Sequence, residues 1–312
     1  MEKVIRSSNR AKKKILKFLP IYLLALPGVV YLIINNYIPI AGLVVAFKNF
    51  SSKKGIWGSD WSGFKNFEYL FGTRDAWEIT RNTLGYNIAF IIIGTAMSVA
   101  IAILLSEIRN RKAGKFYQSV ILLPYLVSWV IISYLVFGFL SADTGFINNS
   151  ILGVLNMDPI SWYNEPKVWP VIMVLVYLWH DMGYVSIVYF ASVVGIDRGY
   201  YEAAEIEGAN QWQKIFHITL PLIRPTIITM VMLSVGKIFY SDFGLFYQVP
   251  MNSGAVYATT NVIDTYVYRG LLQQGNIGMS AAAGLYQSMV GFIVVLIANG
   301  LVRRIDKDSA FF

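Results

Sequence analysis

The chain has no cysteine, which excludes disulfide bonds, thiol catalysis and cysteine-ligated zinc. Only 14% of its 312 residues are charged and 56% are hydrophobic. A soluble domain is usually about 25% charged and roughly 45–50% apolar. Two histidines leave little material for a metal site, and we expect none. The shortage of charge therefore predicts a membrane protein.

The few charges present are unevenly placed. The formal net charge is +8, which by itself would suit a nucleic-acid partner. Seven of the 26 basic residues, however, precede the first apolar run, and a basic cluster beside a span is typical of a cytoplasmic anchor. We therefore predict no nucleic-acid partner. The expected organisation is a basic cytoplasmic N-terminus over 1–19 and a lipid-embedded domain over 20–312.

Long apolar runs are abundant. A helix needs about 20 mostly apolar residues to cross a hydrocarbon core of roughly 30 Å. Six segments meet this length: 20–47, 84–105, 118–140, 168–194, 222–240 and 282–302. Pro27, Pro39 and Gly42 are expected to kink the first or to end it early. Basic residues favour the short connections, so the predicted fold class is an all-α membrane protein with six transmembrane helices and both termini cytoplasmic.

The polar stretch "EAAEIEGANQWQKIFHITLP" separates the fourth and fifth apolar runs, within a region at 197–221. Asp197 is a good N-cap for a first helix, and Gly208 can end it. Asn210 can cap a second helix, and Pro221 is expected to mark the entry to the fifth span. The pattern predicts a helix–turn–helix on the cytoplasmic face. The alternative is an amphipathic helix that only rests in the headgroups.

This stretch resembles the EAA motif of the permease subunits of bacterial type I ABC importers. The residues that carry the resemblance are Glu202, Ala203, Ala204, Gly208, Ile218, Leu220 and Pro221. The resemblance implies that this region is a coupling helix that docks into a cleft on an ATPase subunit. "YLLALPGVVYLIINNYIPI" and "RNTLGYNIAF" are similar to the carbohydrate-uptake branch, in particular to its lipo-oligosaccharide and polysaccharide permeases.

The resemblance implies the type I importer permease fold, a place in the bacterial cytoplasmic membrane and a set of partners. These are a second homologous permease, a cytoplasmic ABC ATPase dimer, an extracytoplasmic solute-binding protein and an oligosaccharide. A P-loop needs glycines, a lysine and then serine or threonine to hold phosphates, whereas Gly114-Lys115 is followed by Phe116. We therefore expect a transport subunit that is not an enzyme and holds no cofactor, with ATP and Mg²⁺ on the partner ATPase.

Ionisable residues inside spans usually face an interior or a water-filled path, because burial in lipid is costly. The fourth span carries a stripe at i, i+3, i+4 and i+7, formed by Tyr177, His180, Asp181 and Tyr184. Aromatic rings and hydrogen-bonding groups together suit a sugar. The stripe is expected either to line the translocation path or to form a buried network in which Asp181 pairs with Lys237.

Further candidates for the path lie near the predicted end of the fifth span: Lys237, Tyr240 and Asp242. They either line the outer half of the path or close a gate or salt bridge. The small number of charges among aromatics favours a neutral polyol over a charged solute. His180 and Asp181 are neighbours whose side chains leave a helix about 100° apart, so we do not expect them to act as an acid–base pair.

Two alternatives for the function stay open at this point. An importer of another solute, such as peptides, amino acids or phosphonates, would share the same topology. A secondary transporter driven by an ion gradient would often show inverted repeats and broken central helices, and the sequence shows neither. Dependence of uptake on ATP or on an ion gradient would separate the two classes.

Overall fold

The computed structural model describes residues 18–305, and these are mostly helical. Five unbroken helices are long and apolar enough to span a membrane: Phe18–Phe47, Asp75–Ser106, Pro166–Val194, Gln211–Val235 and Ile277–Arg304. They are the first, second, fourth, fifth and sixth spans. The predicted N-terminal segment 1–19 lies almost wholly outside the described residues. The domain division and the cytoplasmic placement of the termini stay predictions.

The third span is broken, so the prediction of a single helix over 118–140 is wrong. Helices Arg111–Leu122 and Trp129–Leu140 are joined by a 3-10 turn, Pro124–Leu126, and the two arms meet at 94°. Pro124 begins that turn, and Val127 and Ser128 are then extended. Proline lacks an N–H donor, so it cannot continue the α-helical hydrogen-bond ladder.

The fifth span also departs from the prediction of 222–240. It begins at Gln211, runs without interruption through a π-helical turn at Ile215–Thr219 and ends at Val235. Pro221 therefore lies inside this helix and does not mark the entry to the span. In the π turn the N–H of Leu220 donates to the carbonyl of Ile215, five residues back. Such a turn allows the helix to continue where a proline interrupts the regular series of backbone hydrogen bonds.

The first span is continuous, although its prolines and Gly42 were expected to kink or shorten it. It adapts with a π turn at Ile33–Tyr37 and a 3-10 segment at Ala41–Phe47. No residue in its most apolar 18-residue window is buried. Its end at Ala41–Phe47 packs mainly against the sixth span, whereas residues 18–41 are exposed. The body of this helix thus projects from the rest of the chain.

The spans are joined at two ends of the bundle. The short-loop end holds the connections after the second and fourth spans, and there Ser106, Glu107, Val193 and Arg198 share one cavity. The long-loop end holds the remaining elements: strands β1 (Lys48–Asn49) and β2 (Asp60–Trp61), paired antiparallel, and helices Gly55–Gly58, Lys65–Gly72, Phe243–Gln248, Tyr257–Thr260 and Ile263–Leu272, with short 3-10 and π turns between them.

Two buried clusters tie the second and fourth spans together. Near the long-loop end, Phe90, Ile132, Trp169 and Phe246 belong to one cluster. Near the short-loop end, Val99, Ile103, Tyr189 and Ile223 belong to another. A third cluster, with Leu70, Phe239 and Ile263 among its members, packs the outer helices against the sixth span. The second and fourth spans form the most extensive helix pair, and this pair positions the sites described next.

Candidate functional site

The region predicted to couple to an ATPase is a compact helix pair at the short-loop end. Its first helix, Arg198–Ile206, begins where the Asp197 carboxylate accepts a hydrogen bond from the Gly199 amide at 2.8 Å. The chain reverses at Gly208, whose φ of +79° is a left-handed conformation that favours glycine. The predicted first cap and the predicted break are both confirmed.

The second half of this helix pair begins with the predicted cap at Asn210. The Asn210 side chain accepts from the Gln213 amide at 2.9 Å, and the Gln213 side chain accepts from the Asn210 amide at 2.7 Å. This reciprocal capping box satisfies two amides that a helix start would otherwise leave unpaired. The helix then continues as the fifth span, so the cap fixes the start of a membrane-crossing element.

Two side-chain contacts hold the two helices at a fixed angle. Lys214 Nζ lies 2.7 Å from Glu205 Oε1, and the Tyr201 hydroxyl lies 2.9 Å from that of Thr219. The hydrogen bond from Lys214, followed by its positive charge, lowers the pKa of Glu205. Glu205 is therefore ionised at neutral pH. We call the unit from Asp197 to Pro221 the coupling hairpin.

None of the seven motif residues is fully buried in the coupling hairpin. Ala204, Gly208 and Ile218 line a shared depression of about 360 Å³. Glu202, Ala203 and Pro221 are exposed, and Leu220 is half-buried. Ile206, which the sequence reasoning did not single out, is 88% exposed. The hairpin thus presents small and apolar side chains to its surroundings on a rigid backbone.

The stripe on the fourth span lies against the break in the third span. His180 Nδ1 is 2.8 Å from Asp181 Oδ2, so these neighbours are hydrogen-bonded although their Cβ atoms leave the helix in different directions. Both side chains are long enough to bend toward each other across the angle between their Cβ atoms. The ring of His180 also interacts with the backbone of Val127 at the break. Asp181 is thus paired with His180 and not with Lys237.

Two aromatic residues from the break complete this site, and the sequence reasoning missed both. The Trp129 ring lies 4.1 Å from that of His180, and the Tyr125 ring stacks on Tyr184 at 4.4 Å with 7° between planes. Ile121 closely approaches Gly183, where any Cβ would overlap its carbonyl oxygen. The motif "LLPYLVSW", with proline before two aromatics, is the signal that could have located the break.

Asp242 joins this site from the long-loop end. Its Oδ2 accepts from Trp129 Nε1 at 3.0 Å, and its Oδ1 accepts from the Leu245 amide at 3.1 Å and so caps helix Phe243–Gln248. Tyr177, by contrast, packs into the core, with its ring 3.8 Å from Phe90. We call Tyr125, Trp129, His180, Asp181, Tyr184 and Asp242 the mid-membrane lining.

Lys237 and Tyr240 do not share a helical face, because the fifth span ends at Val235 and they lie in the turns that follow. Both are exposed. Asn87 of the second span holds the backbone of the turns that follow Val235, which we call the linker. Its Nδ2 donates to the Ile238 and Tyr240 carbonyls, at 2.9 and 3.2 Å. The structure therefore brings His180, Asp181, Tyr184 and Asp242 together and leaves Lys237 and Tyr240 at the rim.

The half-buried carboxyl of Asp264, which the sequence reasoning also missed, supports the turns after the fifth span. Asp264 Oδ2 accepts from the Ser241 amide at 2.7 Å, and Gln287 Nε2 donates to Asp264 and to the Phe239 carbonyl. Burial raises the pKa of Asp264, and the negative charge of Asp242 adds to this effect. Helix Ile263–Leu272 carries no pattern that would mark Asp264 as half-buried.

Comparison with known proteins identifies the architecture. Residues 94–307 match the model of the binding-protein-dependent transport system inner membrane component. The chain belongs to this family.

Two curated relatives of this permease come from Bacillus subtilis (strain 168). Protein LplB is 33% identical over 291 residues, 93% of this chain and 91% of the relative. The polygalacturonan/rhamnogalacturonan transport system permease protein YteP is 31% identical over 314 residues, 100% of this chain and 97% of the relative.

Two crystal structures of bacterial alginate ABC transporters also resemble this permease at 32% identity, each over 95% of this chain. One, of an importer of the acidic polysaccharide alginate, has a TM-score of 0.87 and is covered over 99% of that chain. The other, in complex with an alginate pentasaccharide-bound periplasmic protein, has a TM-score of 0.85 and is covered over 98%.

Family membership confirms the predicted all-α membrane fold of an ABC importer permease and its place in the bacterial inner membrane. The permease is a transport subunit, as predicted, and the alternative of an ion-gradient-driven secondary transporter is set aside. The roles of the seven motif residues and of the seven path candidates stay predictions. The structure adds Tyr125 and Trp129, whose rings lie against His180, to this group of residues.

Proposed function

We propose that this permease is one of two membrane subunits of an ATP-driven importer. It moves an oligosaccharide that an extracytoplasmic solute-binding protein delivers, and a separate ATPase drives it through the coupling hairpin. ATP and Mg²⁺ bind on that ATPase and not on this chain. One observation carries the proposal: the coupling hairpin is a doubly capped, cross-braced unit continuous with the fifth span, so a push on it moves a membrane-crossing helix as one body.

The surface of the coupling hairpin supports docking to another protein. On helix Arg198–Ile206, Tyr200 is 58% exposed and Ile206 is 88% exposed. Apolar and aromatic side chains on a rigid element are the usual anchors of a protein interface. The cytoplasmic ATPase is the partner that the proposed function requires at this end, with Glu202 to Gly208 transmitting the movement.

The presence of a second permease subunit is supported by two exposed apolar surfaces of this chain. The body of the first span has no buried residue in its most apolar window. An apolar groove of about 740 Å³, lined by Ile92, Ala96 and Phe216 among others, lies between the second and fifth spans. Small residues let membrane helices approach closely. A homologous permease subunit would cover both surfaces and close the translocation path.

The oligosaccharide is supported by the relatives and by the mid-membrane lining. YteP is named for polygalacturonan and rhamnogalacturonan, and the neighbouring crystal structures are of alginate importers. In the permease, Tyr125 and Tyr184 stack on each other, and the Tyr125 ring lies 5.5 Å from that of His180, which is paired with Asp181. Aromatic faces next to hydrogen-bond acceptors fit the alternating C–H and hydroxyl surfaces of sugar rings.

The proposal is tested by purifying the permease gently from its native membrane and identifying what accompanies it. We expect an ABC ATPase and a second six-span protein, and ATP hydrolysis stimulated by a sugar-loaded binding protein. If ATP hydrolysis were stimulated only by a peptide, amino acid or phosphonate, the proposed substrate class would be wrong, but the proposed importer function would stand. If the chain is purified alone from membranes whose uptake follows an ion gradient, the proposal is wrong.

A further inference from the structure

The linker that follows the fifth span is bound by side chains from two other spans. The Asn87 side chain, on the second span, donates to the carbonyls of Ile238 and Tyr240. The Gln287 side chain, on the sixth span, donates to the Phe239 carbonyl at 2.6 Å. Three successive backbone carbonyls of the linker therefore each accept a hydrogen bond from a side-chain amide of a neighbouring span.

The same linker is also held through a backbone amide and through packing. Asp264 Oδ2 accepts from the Ser241 amide at 2.7 Å, and Gln287 Nε2 donates to Asp264 as well, so one carboxamide joins the linker to the helix that carries this carboxyl. The Phe239 ring is buried and meets the Tyr286 ring of the sixth span edge to face. Polar networks whose members are all bonded make a structure rigid. The linker is therefore fixed to its surroundings from several directions.

The position of the linker along the chain gives this rigidity a consequence. The linker follows Val235, the last residue of a helix that begins in the coupling hairpin at Gln211. This helix has 25 residues, a length of roughly 37 Å at about 1.5 Å per residue. The linker is followed by Asp242, whose carboxylate accepts from the Trp129 indole at the break of the third span. It thus lies between the coupling hairpin and the mid-membrane lining.

A backbone bound in this way passes on a displacement that a loose turn would absorb. Exposed turns open and rearrange at little cost, whereas the bond from Gln287 to the Phe239 carbonyl is buried. If the linker moved away from the second or sixth span, buried polar groups would lose their partners, which is strongly unfavourable. The linker and these two spans therefore move together.

We propose that the linker is the rigid junction that passes the movement of the coupling hairpin on to the break of the third span, with Asn87 and Gln287 as its positioning residues. The second, fifth and sixth spans move as one unit, and Asp242 carries the Trp129 indole with them. The inference rests on the proposed importer function. It adds the residues through which movement at the short-loop end reaches the mid-membrane lining.

The test uses the complete importer, with its ATPase, second permease and binding protein, in proteoliposomes. The variants are Gln287→Met and Asn87→Leu, which keep the approximate size of the side chain and remove the donor. The matched control is Asn35→Leu, because the Asn35 carboxamide lies in the first span and donates to Tyr31 of its own helix. The measured quantity is the amount of sugar transported per ATP hydrolysed. The sugar is the oligosaccharide that stimulates hydrolysis in the purification experiment, and a galacturonate tetrasaccharide is supplied first because YteP is named for polygalacturonan.

We expect each junction variant to lower the sugar-to-ATP ratio by about three- to tenfold, the usual size of a mutational effect on the coupling between two sites. A merely structural role would reduce the amount of assembled complex, so both rates would fall together and the ratio would not change. If Gln287→Met does not assemble, Gln287→Asn takes its place, because the shorter side chain withdraws the amide from the Phe239 carbonyl and stays polar.

The inference is overturned if either junction variant keeps the wild-type ratio, or if Asn35→Leu lowers the ratio as much as they do. In both cases the importer proposal stands, provided that the wild-type complex hydrolyses ATP in response to a sugar-loaded binding protein. Absence of any sugar-stimulated ATP hydrolysis by the wild-type complex would overturn the importer proposal itself, and this inference with it.

Discussion

The coupling hairpin and the mid-membrane lining are both polar sites in an apolar chain, but they are assembled differently. In the hairpin, every contact lies within one short segment: Asp197 with Gly199, Asn210 with Gln213, Glu205 with Lys214, and, at the largest separation of 18 positions, Tyr201 with Thr219. The conformation of the hairpin is therefore determined by contacts within one short segment. The hairpin can keep its shape while the spans around it move.

The lining is assembled from three distant parts of the chain. Trp129 and Asp242 are separated by 113 positions, and Tyr125 of the broken third span stacks on Tyr184 of the fourth span. Its geometry exists only when the broken third span, the fourth span and the long-loop end are packed together. We infer from this difference that the hairpin can move as a rigid unit, whereas the geometry of the lining changes whenever the spans shift relative to one another. That contrast suits a device that transmits force at one end and opens a path at the other.

The largest expected effect comes from breaking the hairpin at Gly208. A Cβ at this position would meet open space, so a substitution there acts through the backbone. A left-handed conformation costs a residue with a Cβ roughly 1–2 kcal/mol, and a β-branched residue more. We expect Gly208→Val to abolish uptake while membrane insertion is unchanged, measured by sugar uptake in vesicles and by immunoblotting of the membrane fraction.

The matched control is Gly208→Asn, because asparagine tolerates the left-handed conformation far better than valine. It should retain most of the uptake although its side chain is as large. If the asparagine variant is as inactive as the valine variant, surface contact and not backbone geometry matters at this position. Normal uptake by Gly208→Val would show that the turn does not transmit force.

The next effect comes from breaking the lining at Gly244. Any Cβ there overlaps the Trp129 ring, so Gly244→Ala must displace the indole from Asp242. Overpacking of this kind costs about 1–3 kcal/mol. We expect a lower melting temperature of the purified complex and reduced uptake. The double variant with Trp129→Leu should recover part of the melting temperature, since the smaller side chain frees the space; an additive loss would contradict this explanation.

Sequence reasoning was accurate where contacts are local. Asp197, Gly208 and Asn210 have their predicted roles because caps and left-handed turns depend on residues within three positions. The spans themselves were found because length and apolar content determine them. The end of the fifth span was misplaced, since Gly236 stops the helix while the apolar run continues through Ile238 and Phe239.

It failed where the decisive contact is distant. Composition alone treats 118–140 as one apolar segment, although Pro124 and the close approach of Ile121 to Gly183 make it two arms. Tyr125 and Trp129 were missed because they were assigned to that unbroken helix. The pairing of His180 with Asp181 was missed because Cβ directions were taken to limit the reach of flexible side chains.

A smaller effect is expected from loosening the second cap of the hairpin. Asn210→Ala removes the acceptor for the Gln213 amide and one half of the capping box. Loss of such a cap usually costs about 1 kcal/mol. We expect a modest fall in the melting temperature and a partial loss of sugar-stimulated ATP hydrolysis. Asn210→Ser, which still offers a cap oxygen, should behave like wild type; equal losses in both variants would assign the effect to another contact.

The smallest effect is expected from the ion pair that braces the hairpin. Glu205 is largely exposed, so Glu205→Gln should change uptake by no more than about twofold. Lys214 lowers the pKa of Glu205 in the folded state, so the pair is fully formed above the ordinary value of about 4.3 and is lost as pH falls through the lowered value. Uptake of wild type and Glu205→Gln should therefore keep a constant ratio between about pH 6 and about pH 8. A ratio that changes within this window would contradict the assignment of this effect to the Glu205–Lys214 pair.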